Sequence, residues 1–234
     1  MEKYINRIIL ADCLDILRTL PDKCINLVLT DPPYGIGADG GTNGFGVADE
    51  KKYRRGWDKT RPEAEVFSHL LRVGKKVVIF GGNYFSDLLP VSRGWLVWDK
   101  KGDIAFENPF SDVELAWCSG IPHSRKVTCV QQGFVRADES DRIHPTQKPL
   151  PLWLWCMREF SAEGDIVFDP FSGSGTTAIA AHRCGRKFIC IEKDEEYHAA
   201  SVARYEAEKR QGRLDLFPFA EPVEQMSLWE RKGN

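Results

Sequence analysis

A carboxylate, two prolines and an aromatic ring stand together at residues 31–34, directly after the run 25–30, whose composition predicts a buried strand. Proline lacks a backbone N–H and keeps the preceding residue extended, so the carbonyl groups here are not committed to a helix or a sheet and can face a ligand. This group suits a flat aromatic substrate with an exocyclic amine. The substrate ring would stack on Tyr34, while Asp31 and a proline carbonyl would accept hydrogen bonds from the amine.

A second group of interest is the turn at residues 168–177, which joins a predicted strand to a predicted helix. Its glycines permit a tight turn and a close approach of a ligand to the backbone. Gly173, Gly175 and Ala178 fit the dinucleotide fingerprint G-x-G-x-x-A. Glu192 ends the next strand, where Rossmann-type folds place the acid that binds ribose hydroxyls. The spacing therefore predicts a site for an adenosine-containing cofactor.

Asp169, within this turn, narrows the choice of cofactor. A carboxylate there would repel a pyrophosphate, and the turn lacks the G-K-[ST] sequence of a P-loop. It suits a cationic or amino-acid-bearing ligand, and S-adenosylmethionine carries both a sulfonium and an α-amino group. A nicotinamide-dependent oxidoreductase is the alternative for the glycine turn, but that class leaves residues 31–34 unexplained.

Strands and helices that alternate along the chain must position these two groups. Their order predicts an α/β fold with a doubly wound, mainly parallel sheet. Residues 119–147 are expected to be irregular. The predicted strands are 8–10, 25–30, 76–80, 95–98, 113–117, 165–168 and 187–191. The predicted helices are 14–20, 63–71, 150–157 and 194–210, with a further helix between the last two strands.

Composition limits the class of protein. The chain has 234 residues and a net charge of −2, so any contact with nucleic acid must come from local basic patches. Its seven cysteines form no C-x-x-C pair, which disfavours a disulfide framework or a zinc site and fits a reducing cytosol. No signal-peptide pattern and no stretch as long as a membrane span is found, so we expect a cytoplasmic protein without metal or membrane contacts.

Residues 31–34, 144–149 and 169–175 together resemble the amino-group DNA methyltransferases that use S-adenosylmethionine. The first stretch matches their catalytic signature, the last matches their cofactor signature, and the middle one matches the segment that precedes the cofactor motif. The catalytic motif comes first here, as in the circularly permuted beta group, and residues 11–13 resemble the segment that contacts the cofactor's adenine. The resemblance implies a Rossmann-like class I methyltransferase fold.

The resemblance also implies a single methyltransferase domain over residues 1–210 and a set of site residues. The expected catalytic residues are Asp31, Pro32, Pro33 and Tyr34. Asp169 would bind the methionine amino group or shape its pocket, and Glu192 would hold the ribose. The expected cofactor-binding residues are Asp12, Cys13, Asp31, His144, Thr146, Gln147, Lys148, Asp169, Pro170, Phe171, Gly173, Ser174, Gly175, Thr176, Glu192 and Lys193.

The expected reaction is methyl transfer to the exocyclic amine of a flipped base. The amine lone pair is delocalised into the ring, so Asp31 and the Pro32 carbonyl would hold both hydrogens and let the nitrogen pyramidalise for in-line attack. The base must leave the duplex stack to reach Asp31. Methylation at cytosine C5 is discounted because the chain has no Pro-Cys dipeptide. The leading aspartate and the tyrosine favour adenine N6, with cytosine N4 as the alternative.

Two basic stretches are the expected contacts with double-stranded DNA. The first is a mobile loop at residues 35–61, for which a merely solvated charged face is the alternative. The second is a short target-recognition segment at residues 119–143, so sequence specificity is expected to be relaxed, read by few residues or shared across a homodimer. The residues concerned are Lys51, Lys52, Tyr53, Arg54, Arg55 and Trp57 in the loop, and Arg125, Lys126, Arg136 and Arg142 in the segment.

Residues 211–234 are expected to form a flexible tail. Within it, Gln225, Met226, Ser227, Leu228 and Trp229 resemble the short peptide by which bacterial proteins dock on the replication sliding clamp. Packing of these residues on the parent domain is the alternative. The biological context stays open among a restriction–modification partner, a phage protein and an orphan regulatory enzyme.

Overall fold

The computed structural model describes residues 1–37, 58–103, 111–132, 135–136, 143–144 and 146–211. The strands are β1 Arg7–Leu10, β2 Ile25–Thr30, β3 Gly74–Phe80, β4 Gly94–Asp99, β5 Val113–Ser119, β6 Arg125–Thr128, β7 Gln131–Gln132, β8 Val135–Arg136, β9 Ile166–Asp169 and β10 Lys187–Glu192. The helices are α1 Cys13–Leu17, α2 Ala64–Val73, α3 Leu150–Phe160, α4 Thr176–Arg183 and α5 Glu195–Gln211, with short 3₁₀ helices at Glu2–Tyr4 and Gly82–Phe85.

Eight of these strands form one sheet in the order β1-β10-β9-β2-β3-β5-β4-β6. The strands from β1 to β3 are all parallel, while β5 is antiparallel to both of its neighbours, β3 and β4. The last strand, β6, pairs with β4 in parallel. Strands β7 and β8 form a separate antiparallel pair. The prediction of an α/β fold with a mainly parallel sheet is confirmed.

Strands β9 and β2 lie at the point where the chain reverses its direction across the sheet. From β9 the chain passes through α4 to β10 on one side, and from β2 it passes through α2 to β3 on the other. In open α/β sheets, a crevice for ligands opens at the carboxyl ends of the strands at such a switch point. Residues 31–34 and 169–175 both begin at this crevice, because they follow or end β2 and β9.

The core lies in two layers, one on each face of the sheet. Successive strand residues point to opposite faces, so Leu27 and Leu29 pack with helices α3 and α4 while Val28 packs with α1 and α2. All three side chains are buried. This two-sided burial explains the nearly continuous apolar run from which the strand was predicted.

The structure differs from the sequence-based expectation in two segments. Helix α1 ends at Leu17, three residues before the expected end. Beyond it, Thr19 and Leu20 donate their backbone N–H groups to the carbonyls of Ile16 and Leu17, and such tighter bonds close the last turn of a helix. Residues 119–147 were expected to be irregular, yet they contain β6, β7 and β8. Strand β6 buries only Val127, so it lacks the apolar pattern by which the other strands were recognised. Within the described ranges, no helix has the length and apolar character of a membrane crossing.

Helix α2 supports the site through a chain of aromatic contacts. Phe67 is fully buried, with its ring 4.8 Å from that of Phe85, whose edge faces Tyr34 at 6.0 Å. We expect Phe67→Ala to lower the free energy of unfolding by about 3–5 kcal/mol, because it opens a cavity in this layer. Urea denaturation measures the loss, and Phe67→Leu, which keeps most of the volume, serves as the control. An alanine variant as stable as the wild type would contradict this packing.

Candidate active site

A cavity of about 760 Å³ opens at the carboxyl ends of β1, β2, β9 and β10. Most of the residues that line it are 11–14, 31, 33, 60–63, 144, 146–148, 169–174, 176, 177 and 192–194. All of the predicted cofactor-binding residues except Gly175 line it, and so do Asp31 and Pro33 of the predicted catalytic residues. The structure therefore brings together five separate stretches of sequence that were assigned to one site.

Asp169 is held deep in the cavity by hydroxyl groups. Its Oδ1 accepts hydrogen bonds from the Thr30 hydroxyl at 2.8 Å and from the Phe171 backbone N–H at 3.1 Å. Its Oδ2 accepts from the Thr177 hydroxyl at 2.5 Å, and Thr177 in turn accepts from Trp153 Nε1 at 2.7 Å. Burial raises the pKa of Asp169 to about 6, although the three hydrogen bonds oppose the increase.

The glycine turn is shaped by Glu192 at the end of β10. Glu192 Oε2 accepts the Gly173 backbone N–H at 2.8 Å, and Oε1 accepts the Asp194 N–H at 2.9 Å. Gly175 has a left-handed φ of 74°, and a Cβ there would lie 3.0 Å from Ser201 Cβ. The turn therefore needs glycine at 175 both for its backbone conformation and for its close approach to α5. Burial raises the pKa of Glu192.

Three further predicted residues occupy the rim of the cavity. Asp12 caps α1, since its Oδ1 accepts the Leu14 N–H at 2.9 Å. Burial raises the pKa of Cys13 to about 12, so this thiol stays protonated at neutral pH and is no nucleophile. Burial lowers the pKa of His144 to about 4, which keeps its imidazole neutral. His144 Nδ1 accepts the Thr146 backbone N–H at 3.3 Å.

Asp31 belongs to a buried network of four polar groups. Lys148 Nζ lies 2.7 Å from Asp31 Oδ2 and 2.8 Å from Glu114 Oε1. The Tyr34 hydroxyl lies 2.6 Å from Asp31 Oδ1 and 2.8 Å from the same oxygen of Glu114. Burial is the largest influence on the pKa of Asp31 and raises it, while Lys148 acts in the opposite direction. Lys148, assigned to the cofactor by resemblance, thus also forms an ion pair with Asp31, the predicted catalytic carboxylate.

The ring of Tyr34 lies beside the cavity lining. It stacks on Tyr84 with centroids 4.7 Å apart and an interplanar angle of 18°. Gly81, in a left-handed conformation, lies against the ring, and a Cβ there would come within 2.1 Å of it. Tyr84 therefore covers one face of the predicted stacking platform in this conformation, and a base could stack on that face only by displacing Tyr84.

Sequence reasoning missed four residues that shape this site. Glu114 and Tyr84 contact Tyr34, Gly81 makes room for its ring, and Arg204 on α5 donates to the Ser174 carbonyl and the Thr176 hydroxyl, each at 3.0 Å. A charged residue inside the apolar strand 113–117 was the available signal for Glu114.

The predicted DNA-binding residues are placed only in part. Arg125 and Lys126 lie exposed on β6, where they form ion pairs with Glu159 at 3.0 Å and Asp99 at 2.9 Å. Arg136 lies in β8, with only its backbone described. Outside the described residues lie Arg142, the loop residues Lys51, Lys52, Tyr53, Arg54, Arg55 and Trp57, and the tail with Gln225, Met226, Ser227, Leu228 and Trp229.

The two ends of the basic loop are nevertheless held together. The buried Asp58 accepts the Gly35 N–H through Oδ1 at 2.8 Å and the Gly37 N–H through its carbonyl at 3.2 Å. Arg61 forms an ion pair with Asp87 at 2.5 Å and lines the cavity. Gly37 and Asp58, the described residues on either side of 38–57, therefore lie close together, next to the predicted catalytic motif. Within the part of the chain that the structure describes, no cluster of three potential metal ligands occurs.

The raised pKa of Asp169 predicts a stability change with pH. Folding favours the protonated acid, so this residue costs stability as the pH rises from about 4 to about 6, and the cost persists above that range. Asp169→Asn removes the ionisation and is expected to raise the free energy of unfolding by about 2 kcal/mol at pH 8, with a smaller gain at pH 5. Urea denaturation at the two pH values measures both gains.

The control for Asp169→Asn is Asp112→Asn, which removes a carboxylate whose side chain is 59% exposed. This variant is expected to differ from the wild type by the same small amount at both pH values. An Asp169→Asn protein that is no more stable than the wild type at pH 8 would show that the hydroxyl groups already compensate for burial.

Comparison with known proteins shows similarities in sequence and in fold. Residues 92–203 match the family model described as DNA methylase. The chain is 26% identical over 246 residues to the type II methyltransferase M.HinfI of Haemophilus influenzae, a match that covers 83% of this chain and 66% of that protein.

Two solved structures share the fold. The M1.HpyAVI–SAM complex superposes with a TM-score of 0.55 at 22% identity and covers 85% of this chain and 98% of the other. The PvuII DNA methyltransferase, cytosine-N4-specific, gives a TM-score of 0.56 at 18% identity and covers 85% of each chain. In its motifs, its sequence and its fold, the chain therefore resembles the amino-group DNA methyltransferases, as residues 31–34 and 169–175 predicted.

Proposed function

We propose that the protein is an S-adenosylmethionine-dependent DNA methyltransferase that modifies the exocyclic amine of a flipped base, with adenine N6 favoured. The observation that carries the proposal is that Asp31 and Asp169 end neighbouring strands and line one cavity. A carboxylate suited to an amine and a turn suited to an adenosine cofactor therefore share one chamber. The match to a DNA methylase family model over residues 92–203 supports the same class.

The groups that line the cavity fit S-adenosylmethionine. Asp12, Asp169 and Glu192 supply carboxylates, which suit an ammonium group, a sulfonium and ribose hydroxyls, and would repel a pyrophosphate. The glycine turn at 173–175 lets a ligand approach the backbone. Asp169 would face the methionine amino group or shape its pocket, and Glu192 would hold the ribose. The M1.HpyAVI structure, which shares the fold, was solved as a SAM complex.

When bound, the cofactor supplies an electrophilic methyl group. Asp31 and the Pro32 carbonyl accept hydrogen bonds from the two amine hydrogens of the base, which localises the lone pair on nitrogen and orients it for in-line attack. Lys148 Nζ lies 2.7 Å from Asp31 Oδ2 and lowers the pKa of this carboxyl group, which opposes the larger raising effect of burial. The base reaches this point only outside the duplex stack, so base flipping is part of the proposal.

Adenine is favoured over cytosine because the motif begins with aspartate and ends with tyrosine. The structural neighbours do not separate the two bases, since one of them is described as cytosine-N4-specific. The proposal also includes four predictions from sequence. The loop 35–61 and the segment 119–143 would contact double-stranded DNA, and residues 225–229 would dock on the sliding clamp. The protein would form a homodimer and would be located in the cytoplasm.

The test is expression in a host that lacks DNA methylation, followed by nucleoside analysis of its DNA. We expect N6-methyladenine from the wild type and no methylated amine from Asp31→Asn, because an amide cannot provide the same ionic acceptor. N4-methylcytosine would contradict the choice of adenine and retain the reaction class. Unmethylated DNA from a well-folded, cofactor-binding wild type, or full methylation by Asp31→Asn, would contradict the proposed function.

Glu192 provides a separate test of cofactor binding. Both of its oxygens accept backbone N–H groups, so in Glu192→Gln the amide would present a donor to one of them and loosen the glycine turn. We expect S-adenosylmethionine to bind about tenfold more weakly, as measured by calorimetry. Glu195→Gln, which changes an exposed residue nearby, is the control and should bind as tightly as the wild type. Unchanged affinity in Glu192→Gln would contradict its role in the cofactor site.

A further inference from the structure

Glu114 is a partly buried carboxylate that lies next to Asp31 and outside the cavity lining. It is the second residue of β5, which runs antiparallel to β3 with Ala116 paired to Phe80. The beginning of β5 therefore lies at the carboxyl end of β3, next to the point where Asp31 leaves β2. The exposed fraction of its side chain is 17%, and that of Lys148 is 9%.

Glu114 shares both hydrogen-bond donors that reach Asp31. Lys148 Nζ lies 2.7 Å from Asp31 and 2.8 Å from Glu114, so its single charge is divided between two carboxylates. The Tyr34 hydroxyl lies 2.6 and 2.8 Å from the same two groups but carries one proton. Burial and the two carboxylates raise the pKa of Tyr34 well above 10, which keeps that proton on the hydroxyl.

The net charge of the four groups determines how Glu114 affects the pKa of Asp31. With both carboxylates ionised, the four groups carry a net charge of −1, whereas Asp31 and Lys148 alone would be neutral. Glu114 therefore leaves Asp31 less neutralised and raises its pKa, while Lys148 lowers it. A carboxylate that shares its donors with a second carboxylate accepts a further hydrogen bond more strongly than one that holds the same donors alone.

We propose that Glu114 is a positioning residue. It accepts hydrogen bonds from Lys148 and the Tyr34 hydroxyl, which would otherwise bind Asp31 alone, and so leaves the Asp31 carboxylate able to accept from the target amine. Its chemical task is to set the acceptor strength and the orientation of Asp31 without touching the substrate. The inference rests on the proposed methyl transfer and adds to it a residue from a strand that neither motif includes.

The charged and titratable groups around Asp31 determine its pKa. Lys148, Glu114 and Tyr34 contact it directly, and Asp169 faces it from the end of β9. Beyond these, Lys100 acts on Glu114 and His144 lies near Lys148. Without the charge of Glu114, one cause that raises the pKa of Asp31 is lost, and Lys148 then forms an ion pair with Asp31 only. The pKa of Asp31 therefore falls, and with it the strength of the acceptor.

The experiment measures kcat, the KM for cofactor and for DNA, and the pH profile of kcat for full-length Glu114→Gln. We expect kcat to fall about tenfold or more while both KM values stay within about threefold of the wild type, because the defect lies in the orientation of the acceptor. The acid limb of the profile is expected to move to lower pH, since it follows the ionisation of Asp31. A residue with a merely structural role would leave that limb in place.

Two further variants make the test specific. Asp112→Asn, an exposed carboxylate that precedes β5, should leave kcat, KM and the pH profile unchanged. Glu114→Asp keeps the charge on a shorter arm, so its acid limb should stay at the wild-type position even if kcat falls. If Glu114→Gln does not fold, Glu114→Asp still tests the role of the charge. An acid limb shifted to lower pH in Glu114→Asp would contradict that role.

The results separate this inference from the proposed function. A wild type that transfers no methyl group contradicts the function itself, whereas an active wild type with an equally active Glu114→Gln contradicts only the role of Glu114. An unmoved acid limb in a folded Glu114→Gln would also overturn it.

Discussion

The hydrogen bond from the Thr30 hydroxyl to Asp169 Oδ1, buried and 2.8 Å long, joins the ends of two neighbouring strands. The pairing of β2 with β9 brings these residues together from distant parts of the chain. Asp31 follows directly after Thr30, and the glycine turn follows Asp169, so both halves of the site depend on this register. A slip of β2 by one residue would turn its side chains to the opposite faces and separate the two motifs.

The second constraint is the accumulation of carboxylates at this point. Burial raises the pKa of Asp31, Asp169 and Glu192, so each costs stability when it ionises. Lys148 is the cation that compensates at Asp31, and hydroxyl and backbone N–H groups compensate at the other two. Such a chamber is poorly suited to a phosphate and well suited to a cationic ligand. The core on both faces of the sheet supports this unfavourable concentration of charge.

Much of the arrangement could be predicted from local sequence. The strands that deliver Asp31 and Asp169 are buried on both faces and appear as apolar runs, and the position of Glu192 follows from the strand–turn–helix–strand spacing. These signals lie within short windows, where pattern and spacing are informative. The mainly parallel sheet follows from the alternation of strands and helices.

The remaining features depend on which strands become neighbours, and no short window contains that information. Glu114 reaches Asp31 only because β5 inserts antiparallel between β3 and β4. Gly81 and Tyr84 matter only because the Tyr34 ring folds against them. Strand β6 was missed since a single buried residue produces no alternating pattern. The sequence thus predicts the groups that face the ligand better than the groups that hold them in place.

In the proposed reaction, one chamber holds the cofactor and the target amine together. The structure of the complex with duplex DNA and a cofactor analogue, in which an amine replaces the methyl sulfonium, would show whether it does. We expect a flipped base whose exocyclic nitrogen lies within about 3.5 Å of that amine and donates to Asp31. A base bound away from Asp31, or an analogue bound outside the cavity between residues 31 and 169, would contradict it.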